Sequence, residues 1–181
     1  MQHHETAVAQ FLVVRRIEVM SITLKSSNEL LPLVQSIHQL LFERIRLLVP
    51  DTELHHIGAT AVPGALTKGD IDTLLQVLPS DFTAVVDVLK QHFQIKQPAN
   101  WTPEFASFGD DTTYALPVGI QVVVKDSSAD FLLFLRDYFT KNSAALTEYN
   151  RLKTAHSEDG QEAYWNAKNE FLSRILAGRK I

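Results

Sequence analysis

Cysteine is absent from the 181 residues of the chain, which excludes disulfides, thiolate metal sites and cysteine nucleophiles. A chain without disulfides is typical of a reducing compartment, so we expect a cytoplasmic location. No apolar run approaches the roughly 20 residues that cross a bilayer, which predicts no membrane partner. Positive charge is also scarce, because 17 Lys and Arg residues stand against 21 Asp and Glu residues and leave a net charge of −4. A general nucleic-acid binder presents a basic face, so the composition argues against a nucleic-acid partner.

The remaining composition is that of an ordinary globular protein, with 45% hydrophobic and 21% charged residues. The length is sufficient for one domain with a sizeable core. We predict an N-terminal extension over residues 1–20 and a single domain over residues 21–181. The segment Ala7–Val14 is apolar but precedes its two arginines, and this order is wrong for a signal peptide. Two alternatives stay open for it: a leader before a start at Met20, or an element that packs on the domain.

Hydrophobic periodicity predicts an α/β order of elements. The pattern gives helices over 31–49, 81–92, 128–141, 142–156 and 157–178, and strands over 53–57, 70–77, 105–108, 112–116 and 119–125. Capping preferences add Pro32 in a first turn, N-caps at Ser80, Asn142 and Ser157, a hairpin turn at Asp110-Asp111, and a helix stop at Gly178. This order favours a small mixed, twisted sheet with helices packed against it and a C-terminal helical set.

The stretch from His55 to Val77, HHIGATAVPGALTKGDIDTLLQV, carries the strongest chemical pattern. It predicts a strand, a loop of small residues, and a second strand that carries Asp70 and Asp72. Side chains two residues apart in a strand point to the same face, so these carboxylates lie side by side. Paired carboxylates repel each other unless a cation lies between them, and Mg²⁺ prefers such oxygen ligands. We therefore predict a Mg²⁺ site with Asp70 and Asp72 as metal ligands and catalytic residues.

The loop before these acids is a candidate phosphate site. Exposed amides in a loop of small residues can bind phosphate oxygens. Gly58 permits a close approach of the backbone, Thr60 supplies a hydroxyl, and Lys68 supplies a positive charge. A phosphate-binding loop followed by a divalent-metal site is the layout of a nucleotidyl-transfer centre. The alternatives are an ordinary tight connection followed by a strand end with solvated acids.

These residues resemble the GrpB family, part of the nucleotidyltransferase superfamily typified by DNA polymerase beta. The family's run His-Ile-Gly-Ser-Thr-(Ser/Ala)-Val-Pro-Gly-Leu is similar to residues 56–65, with Ala59 in place of the usual Ser. A Lys and an Ile-Asp strand follow in the family, as do Lys68 and Asp72 here. Asp70 restores the Asp-x-Asp pattern of the wider superfamily. The resemblance implies the nucleotidyltransferase fold.

The C-terminal region extends the resemblance to roughly residues 22–177. The family's Arg-Asp-Tyr and its two Tyr-x-x-x-Lys spacings are similar to the segments at Arg136, Lys153 and Lys168. Each Tyr lies four residues before its Lys and so shares a helix face with it. If these faces turn toward the cleft, the rings can stack on a base and the cations can bind phosphates. The alternative is an amphipathic face whose lysines extend to solvent.

One part of the superfamily pattern is missing. The resemblance implies a third carboxylate on a later strand, which completes the metal site or accepts the proton of the attacking hydroxyl. Here that strand offers Gln121, and Gly119 and Gln121 take the places of a His-x-His pattern common in the family. Asp110, Asp111 and Asp126 are the substitutes that the sequence offers.

The resemblance implies Mg²⁺-dependent transfer of a nucleoside monophosphate from an NTP to a small-molecule or protein acceptor. The alternative is a catalytically inactive nucleotide- or anion-binding module on the same fold, which the missing acid at Gln121 favours. A third hypothesis is a phosphohydrolase that uses the same acids together with His56.

Overall fold

The computed structural model describes residues 22–50 and 52–178, and the segment 1–20 lies outside the described residues. Its strands are β1 (Lys25–Ser26), β2 (Glu53–Ile57), β3 (Leu66–Thr67), β4 (Ile71–Val77), β5 (Gln94–Lys96), β6 (Phe105–Asp110) and β7 (Val118–Val124). The main sheet has five strands in the order β2-β4-β7-β6-β5, and β1 pairs with β3 separately. Only β4 and β7 pair in parallel among these strands. The predicted small mixed sheet is confirmed.

Five helices flank this sheet within the described residues: α1 (Ser27–Leu48), α2 (Phe82–Leu89), α3 (Leu132–Lys141), α4 (Ser143–Ala155) and α5 (Gln161–Ala177). The main core forms where α1 and α2 cover one face of the sheet. On the other face, Ile57, Leu74 and Val123 contact Leu132 and Leu133 of α3. The predicted C-terminal helical set is therefore confirmed, and it begins on this second face. No helix in the described part of the chain combines the length and apolar character needed to cross a membrane.

Side-chain alternation decides which residues of β4 face the C-terminal helices. Ile71 and Leu75 belong to the core under α1, whereas Leu74 belongs to the core under α3. Because side chains alternate along a strand, Asp72 lies on the same face as Leu74. The parallel register pairs Asp72 with Gly119, so Gln121 lies on that face as well. The sheet thus directs Asp72 and Gln121 toward the C-terminal helices.

The first helix begins four residues earlier than its predicted start at residue 31. The Ser26 hydroxyl accepts a hydrogen bond from the Asn28 amide at 3.3 Å and caps the helix. Pro32 therefore lies inside the helix and not in its first turn. The serine hydroxyl thereby satisfies a helix amide that has no partner within the helix. The sequence prediction placed the helix start beside Pro32 and did not recognise this capping serine.

The strand predicted over 112–116 and the hairpin turn at Asp110-Asp111 are wrong. Asp110 is the last residue of β6, and its Oδ1 accepts hydrogen bonds from the amides of Thr112 and Thr113 at 3.2 and 2.8 Å. Its Oδ2 accepts from Arg44 at 2.9 Å. Although burial opposes ionisation, these hydrogen bonds lower the pKa of Asp110 to about 2. The carboxylate thus folds the following residues into a turn.

Three predicted N-caps do not bond to helix amides. The Ser80 hydroxyl donates to the Asp81 carboxylate at 2.9 Å, and α2 begins at Phe82 without a side-chain cap. Asn142 lies at the cap position of α4, but its amide nitrogen donates to the Tyr138 carbonyl at 2.8 Å. Ser157 lies in the connection, and Gly160 precedes α5 instead. The stop predicted at Gly178 agrees with the structure.

Candidate active site

A cavity of about 220 Å³ lies between the loop that follows β2, the end of the sheet and the C-terminal helices. Every predicted site residue except Thr60 lines it. The lining residues from the prediction are Gly58, Lys68, Asp70, Asp72, Arg136, Lys153 and Lys168. The cavity therefore contains two acidic and four basic side chains from five different segments of the chain.

Asp72 is held between two glycines of neighbouring chain segments. A Cβ atom at Gly58 would lie 2.5 Å from Asp72 Oδ2, and one at Gly119 would lie 2.9 Å from Oδ1. Gln121 Nε2 donates to Oδ1 at 3.4 Å. Gly58 also has φ +72° and ψ −169°, a backbone region that only glycine readily adopts. Gly58 of the loop therefore leaves room for the carboxylate of Asp72 on β4.

This enclosure changes the acidity of Asp72. Burial raises the pKa of the Asp72 carboxyl above its ordinary value, and the charge of Asp70 raises it further. Lys168, Lys68 and the hydrogen bond from Gln121 oppose the rise. A cation bound between the two acids would remove the repulsion between them.

We expect Gly58→Ala to displace the Asp72 carboxylate and to destabilise the fold by about 1–3 kcal/mol, since it adds both a clash and backbone strain. Thermal unfolding and Mn²⁺ binding would measure the two effects. Gly64→Ala is the matched control, because Gly64 also has a positive φ (+78°), but a Cβ atom added there would meet no other atom within 4 Å. Equal loss of Mn²⁺ affinity in both variants would show that the close approach of Gly58 to the Asp72 carboxylate does not matter for the cation.

Asp70 lies one residue before β4, so the prediction that it belongs to the strand is wrong. Its side chain is 36% exposed, and Lys68 Nζ lies 3.4 Å from its Oδ2. Asp70 and Asp72 nevertheless line the same cavity. Mg²⁺ is commonly held by one or two carboxylates together with substrate phosphates, so two carboxylates are sufficient in number for one such ion. No cluster of three or more metal-ligating side chains occurs among the residues that the structure describes.

Thr60 is buried and does not line the cavity. Its hydroxyl donates to the Asp70 carbonyl at 3.2 Å and lies 3.0 Å from His56 Nε2. Burial, together with the charges of His38 and Arg136, lowers the pKa of His56 to about 4. A neutral His56 and Thr60 thus hold the backbone of Asp70 in place, and direct phosphate contact by Thr60 stays a prediction.

Lys153 and Lys168 both face the cavity, together with the tyrosines one turn before them. Lys153 is 2% exposed, donates to the Leu66 carbonyl, and lies over the Tyr149 ring with 4.5 Å between Nζ and the centroid. Burial and the charge of Lys168 lower the pKa of Lys153 to about 7, against the effect of Asp70. Burial also lowers the pKa of Lys168.

Arg136 reaches the cavity from α3 and links it to β2. Its Nη1 donates to the His56 carbonyl at 3.1 Å, and its Nε donates to Asp137 at 2.9 Å. The guanidinium is thereby oriented by two protein acceptors while it still lines the cavity.

The candidate third acids do not reach this site. Asp110 pairs with Arg44 and Asp111 pairs with Lys96. Asp126 follows β7 at φ +61°, and its amide donates to Asp130 at 3.0 Å. None of the three lines the cavity. Instead, Gln121 lies beside Asp72, and its Oε1 is buried without a hydrogen-bond partner in the described part of the chain.

Two features of the site were not foreseen. Asn150 of α4 accepts from the Leu66 amide and donates to the Gly64 carbonyl, both at 2.9 Å, and so fixes the loop to the helix. A lone Asn in an amphipathic helix gives no signal for this. Apolar side chains also form part of the wall: Leu132, Leu135, Phe139, Leu146 and Leu172. Their helical spacing indicated burial but not a cavity.

The fold and this cavity define an α/β protein with a candidate cation- and phosphate-binding site, enclosed between a mixed sheet and a C-terminal helical set. The chain belongs to the GrpB protein family, whose model matches residues 22–178. The family resemblance seen in the sequence is thereby confirmed.

Similar proteins agree with this membership. A UPF0157 protein of Vibrio cholerae serotype O1 is 33% identical over 137 residues, which cover 73% of this chain and 70% of the relative. A UPF0157 protein of Halalkalibacterium halodurans is 30% identical over 144 residues, which cover 74% and 71%. The crystal structure of the conserved protein GrpB from Enterococcus faecalis matches with a TM-score of 0.62 and 17% identity, over 85% of this chain and 99% of that one. The last match shows a shared fold.

Proposed function

We propose that this protein transfers a nucleoside monophosphate from an NTP to an acceptor with the help of Mg²⁺. The observation that carries the proposal is the arrangement of Asp70 and Asp72 in one cavity whose other charged side chains are all basic. Two adjacent acids suit a cation, and the basic surround suits the phosphates that such a cation binds.

The residues nearest the two acids have distinct roles in this proposal. Asp70 and Asp72 would hold Mg²⁺, which when bound neutralises phosphate charge and orients the reacting groups. Lys68 and Arg136 would stabilise the negative charge that develops on the phosphates during transfer. Gly58 would let its backbone approach a phosphate closely.

Lys153, which is buried, and Lys168, which is half-buried, complete the proposed phosphate site. Lys153 and Lys168 lie on neighbouring helices and repel each other, which is one reason why the pKa of Lys153 is lowered. A bound polyphosphate would relieve this repulsion, because it places negative charge between the two ammonium groups.

The size of the cavity limits what it can enclose. Sites for drug-sized ligands usually measure about 300–1,000 Å³, and this cavity of about 220 Å³ is smaller. We therefore infer that the phosphates lie inside the cavity and the nucleoside lies at its mouth. Selectivity among bases would then be weak.

Incubation of the protein with α-labelled NTPs, Mg²⁺ and a pool of small metabolites would test the proposal. We expect a labelled product and an equal amount of released pyrophosphate. NTP binding without any labelled product would contradict the transferase function.

A second candidate is an anion-binding module without catalysis, and the amide of Gln121 beside Asp72 favours it. This candidate predicts that triphosphate binding persists when Mg²⁺ is chelated, because the lysines alone would hold the anion. Titration calorimetry with and without EDTA separates the two candidates. Loss of all binding under chelation would contradict the module.

A further inference from the structure

The cavity has a charged end and an apolar end. Helices α4 and α5 are joined by five residues, 156–160, and such short connections join antiparallel neighbours. Lys153 lies near the end of α4, and Lys168 lies two turns into α5, so both are close to the connection. Leu146 precedes Lys153 by two turns and Leu172 follows Lys168 by one turn. Both leucines are therefore displaced in the same direction, away from the charged end.

The apolar end continues into a packed cluster. Val62 and Ala65 of the loop contact Phe139, Tyr149 and their neighbours, including both leucines. These named residues of the cluster also line the cavity. The whole cavity measures about 220 Å³ and would also take the phosphates, so an apolar body beside them is compact, a ring or a short branched chain at most.

No carboxylate at the charged end is free to act as the base for a hydroxyl acceptor, and a bound polyphosphate would hold Lys153 in its charged form, which cannot accept a proton. With Asp70 and Asp72 on a cation, no other carboxylate of the described residues lines the cavity. Gln121 lies beside Asp72, where a third carboxylate would be needed, and an amide cannot accept a proton at neutral pH. A nucleophile that is already ionised needs no base, and the excess of basic side chains favours an anion.

We propose that the acceptor at this site is a small organic anion, a phosphate monoester or carboxylate, whose compact apolar body occupies the end lined by Leu146 and Leu172. An ionised oxygen of the acceptor forms a bond to the α-phosphorus. The bond from that phosphorus to the oxygen bridging the β-phosphorus breaks, and pyrophosphate leaves with the electron pair. No proton is transferred. This assignment of the acceptor rests on the proposed transferase function. The expected preference of the cavity for ligands with both an anionic group and an apolar body does not.

Binding of three probes to the wild-type protein, in the presence of Mg²⁺ and without NTP, tests the ligand class. Phenyl phosphate has both the anion and the apolar body, methyl phosphate has the anion alone, and benzyl alcohol has the body alone. We expect phenyl phosphate to bind about tenfold more tightly than either, because only it fills both ends. Equal affinity of phenyl and methyl phosphate, or of phenyl phosphate and benzyl alcohol, would overturn the proposal.

A pair of variants tests whether the preference for phenyl phosphate arises at the apolar end of the cavity. Leu172→Gln places an amide in the apolar end, so we expect the preference for phenyl over methyl phosphate to fall below about threefold. Leu176→Gln is the matched control, since Leu176 lies one turn further along α5 and does not line the cavity. An unchanged preference in Leu172→Gln, with unfolding temperature equal to that of the control, would place the apolar body elsewhere and overturn the assignment.

Addition of labelled NTP separates this inference from the transferase function. Label transferred to phenyl phosphate supports both. Label transferred to benzyl alcohol but not to phenyl phosphate overturns the anionic acceptor while the transferase function stands. A phenyl phosphate preference without transfer to any acceptor overturns the transferase function, and with it the role of the anion as acceptor.

Discussion

Asp72→Asn is expected to lower nucleotide transfer by about 100-fold or more, because it removes a metal ligand. The same substitution should stabilise the metal-free protein at neutral pH. Burial and the charge of Asp70 raise the pKa of Asp72 in the folded state above its ordinary value of 3.8. Ionised Asp72 therefore costs stability, and the asparagine does not.

The pH dependence of this stabilisation has a definite sign. The folded state binds a proton more tightly than the unfolded state, so the stability of the wild type falls as pH rises from about 3.8 through the raised pKa. The advantage of Asp72→Asn should be absent at strongly acidic pH and complete once Asp72 is ionised in the folded protein. Urea unfolding of EDTA-treated protein at a series of pH values would measure it.

Asp87→Asn is the matched control for both effects. Asp87 lies on α2 at the surface and pairs with Lys90 at 2.9 Å, an exposed contact that contributes little. This variant loses the same charge outside the cavity, so we expect wild-type transfer and little change in stability. Mg²⁺ should raise the unfolding temperature of the wild type and of Asp87→Asn but not of Asp72→Asn. Full transfer activity in Asp72→Asn would refute its role as a metal ligand.

The parts of this fold that the sequence predicted correctly depend on short-range patterns. The strand β7 follows from the period of two in its apolar residues Ile120, Val122 and Val124, a pattern that lies within a few neighbouring positions. The tyrosine and lysine pairs on α4 and α5 follow from helical spacing, which places each pair on one face. These rules need no knowledge of the rest of the chain.

The errors arise where a side chain bonds to distant or competing backbone. Ser26 caps α1 and overrides the signal of Pro32, and the Asp110 carboxylate turns the chain that the apolar pattern predicted as a strand. The hydrogen bond from the Thr60 hydroxyl to the Asp70 carbonyl was likewise not foreseen, whereas phosphate contact by Thr60 stays a prediction. Competition of this kind is decided by geometry that propensities do not contain.

Which residues meet at the candidate site depends on the order of the strands in the sheet. Gln121 could be identified as the residue in place of an acid, but its position beside Asp72 requires β7 to pair in parallel with β4. Similarly, the contact of Asn150 with Gly64 and Leu66 joins segments more than 80 residues apart. No local pattern encodes either contact, so the cavity could be predicted only in part.

Lys153→Met is expected to stabilise the protein below neutral pH, because it removes a positive charge that is buried in the folded state. Lys153 is 2% exposed and has a folded-state pKa of about 7, against an ordinary value of 10.5. The folded state therefore binds fewer protons than the unfolded state between these two values, and the stability of the wild type rises with pH across that interval. Below pH 7 the buried charge costs stability in full.

The size of the stabilisation by Lys153→Met follows from the difference between the pKa values of Lys153 in the folded and unfolded states. Each pKa unit corresponds to about 1.4 kcal/mol, so removal of the buried charge should stabilise the protein by a few kcal/mol at pH 6. Loss of the hydrogen bond to the Leu66 carbonyl offsets about 1 kcal/mol of this. The advantage should shrink as pH rises from 7 and should have largely disappeared by about pH 10, because the lysine of the unfolded state then approaches its own pKa of 10.5. Chemical unfolding at pH 6, 8 and 10 would measure the trend.

Anion binding should show the functional reason for keeping this buried lysine. A polyphosphate favours the charged form, so at pH 8 the wild type should take up a proton when it binds tripolyphosphate. Calorimetry in buffers of different ionisation enthalpy would detect that proton. We expect Lys153→Met to bind about tenfold more weakly and to take up a smaller fraction of a proton, since one of the two lysines with a lowered pKa near the anion is gone. The surface variant Lys90→Met should keep both properties. Proton uptake in Lys153→Met equal to that of the wild type would assign the titration to another group and refute the contact between Lys153 and the bound phosphates.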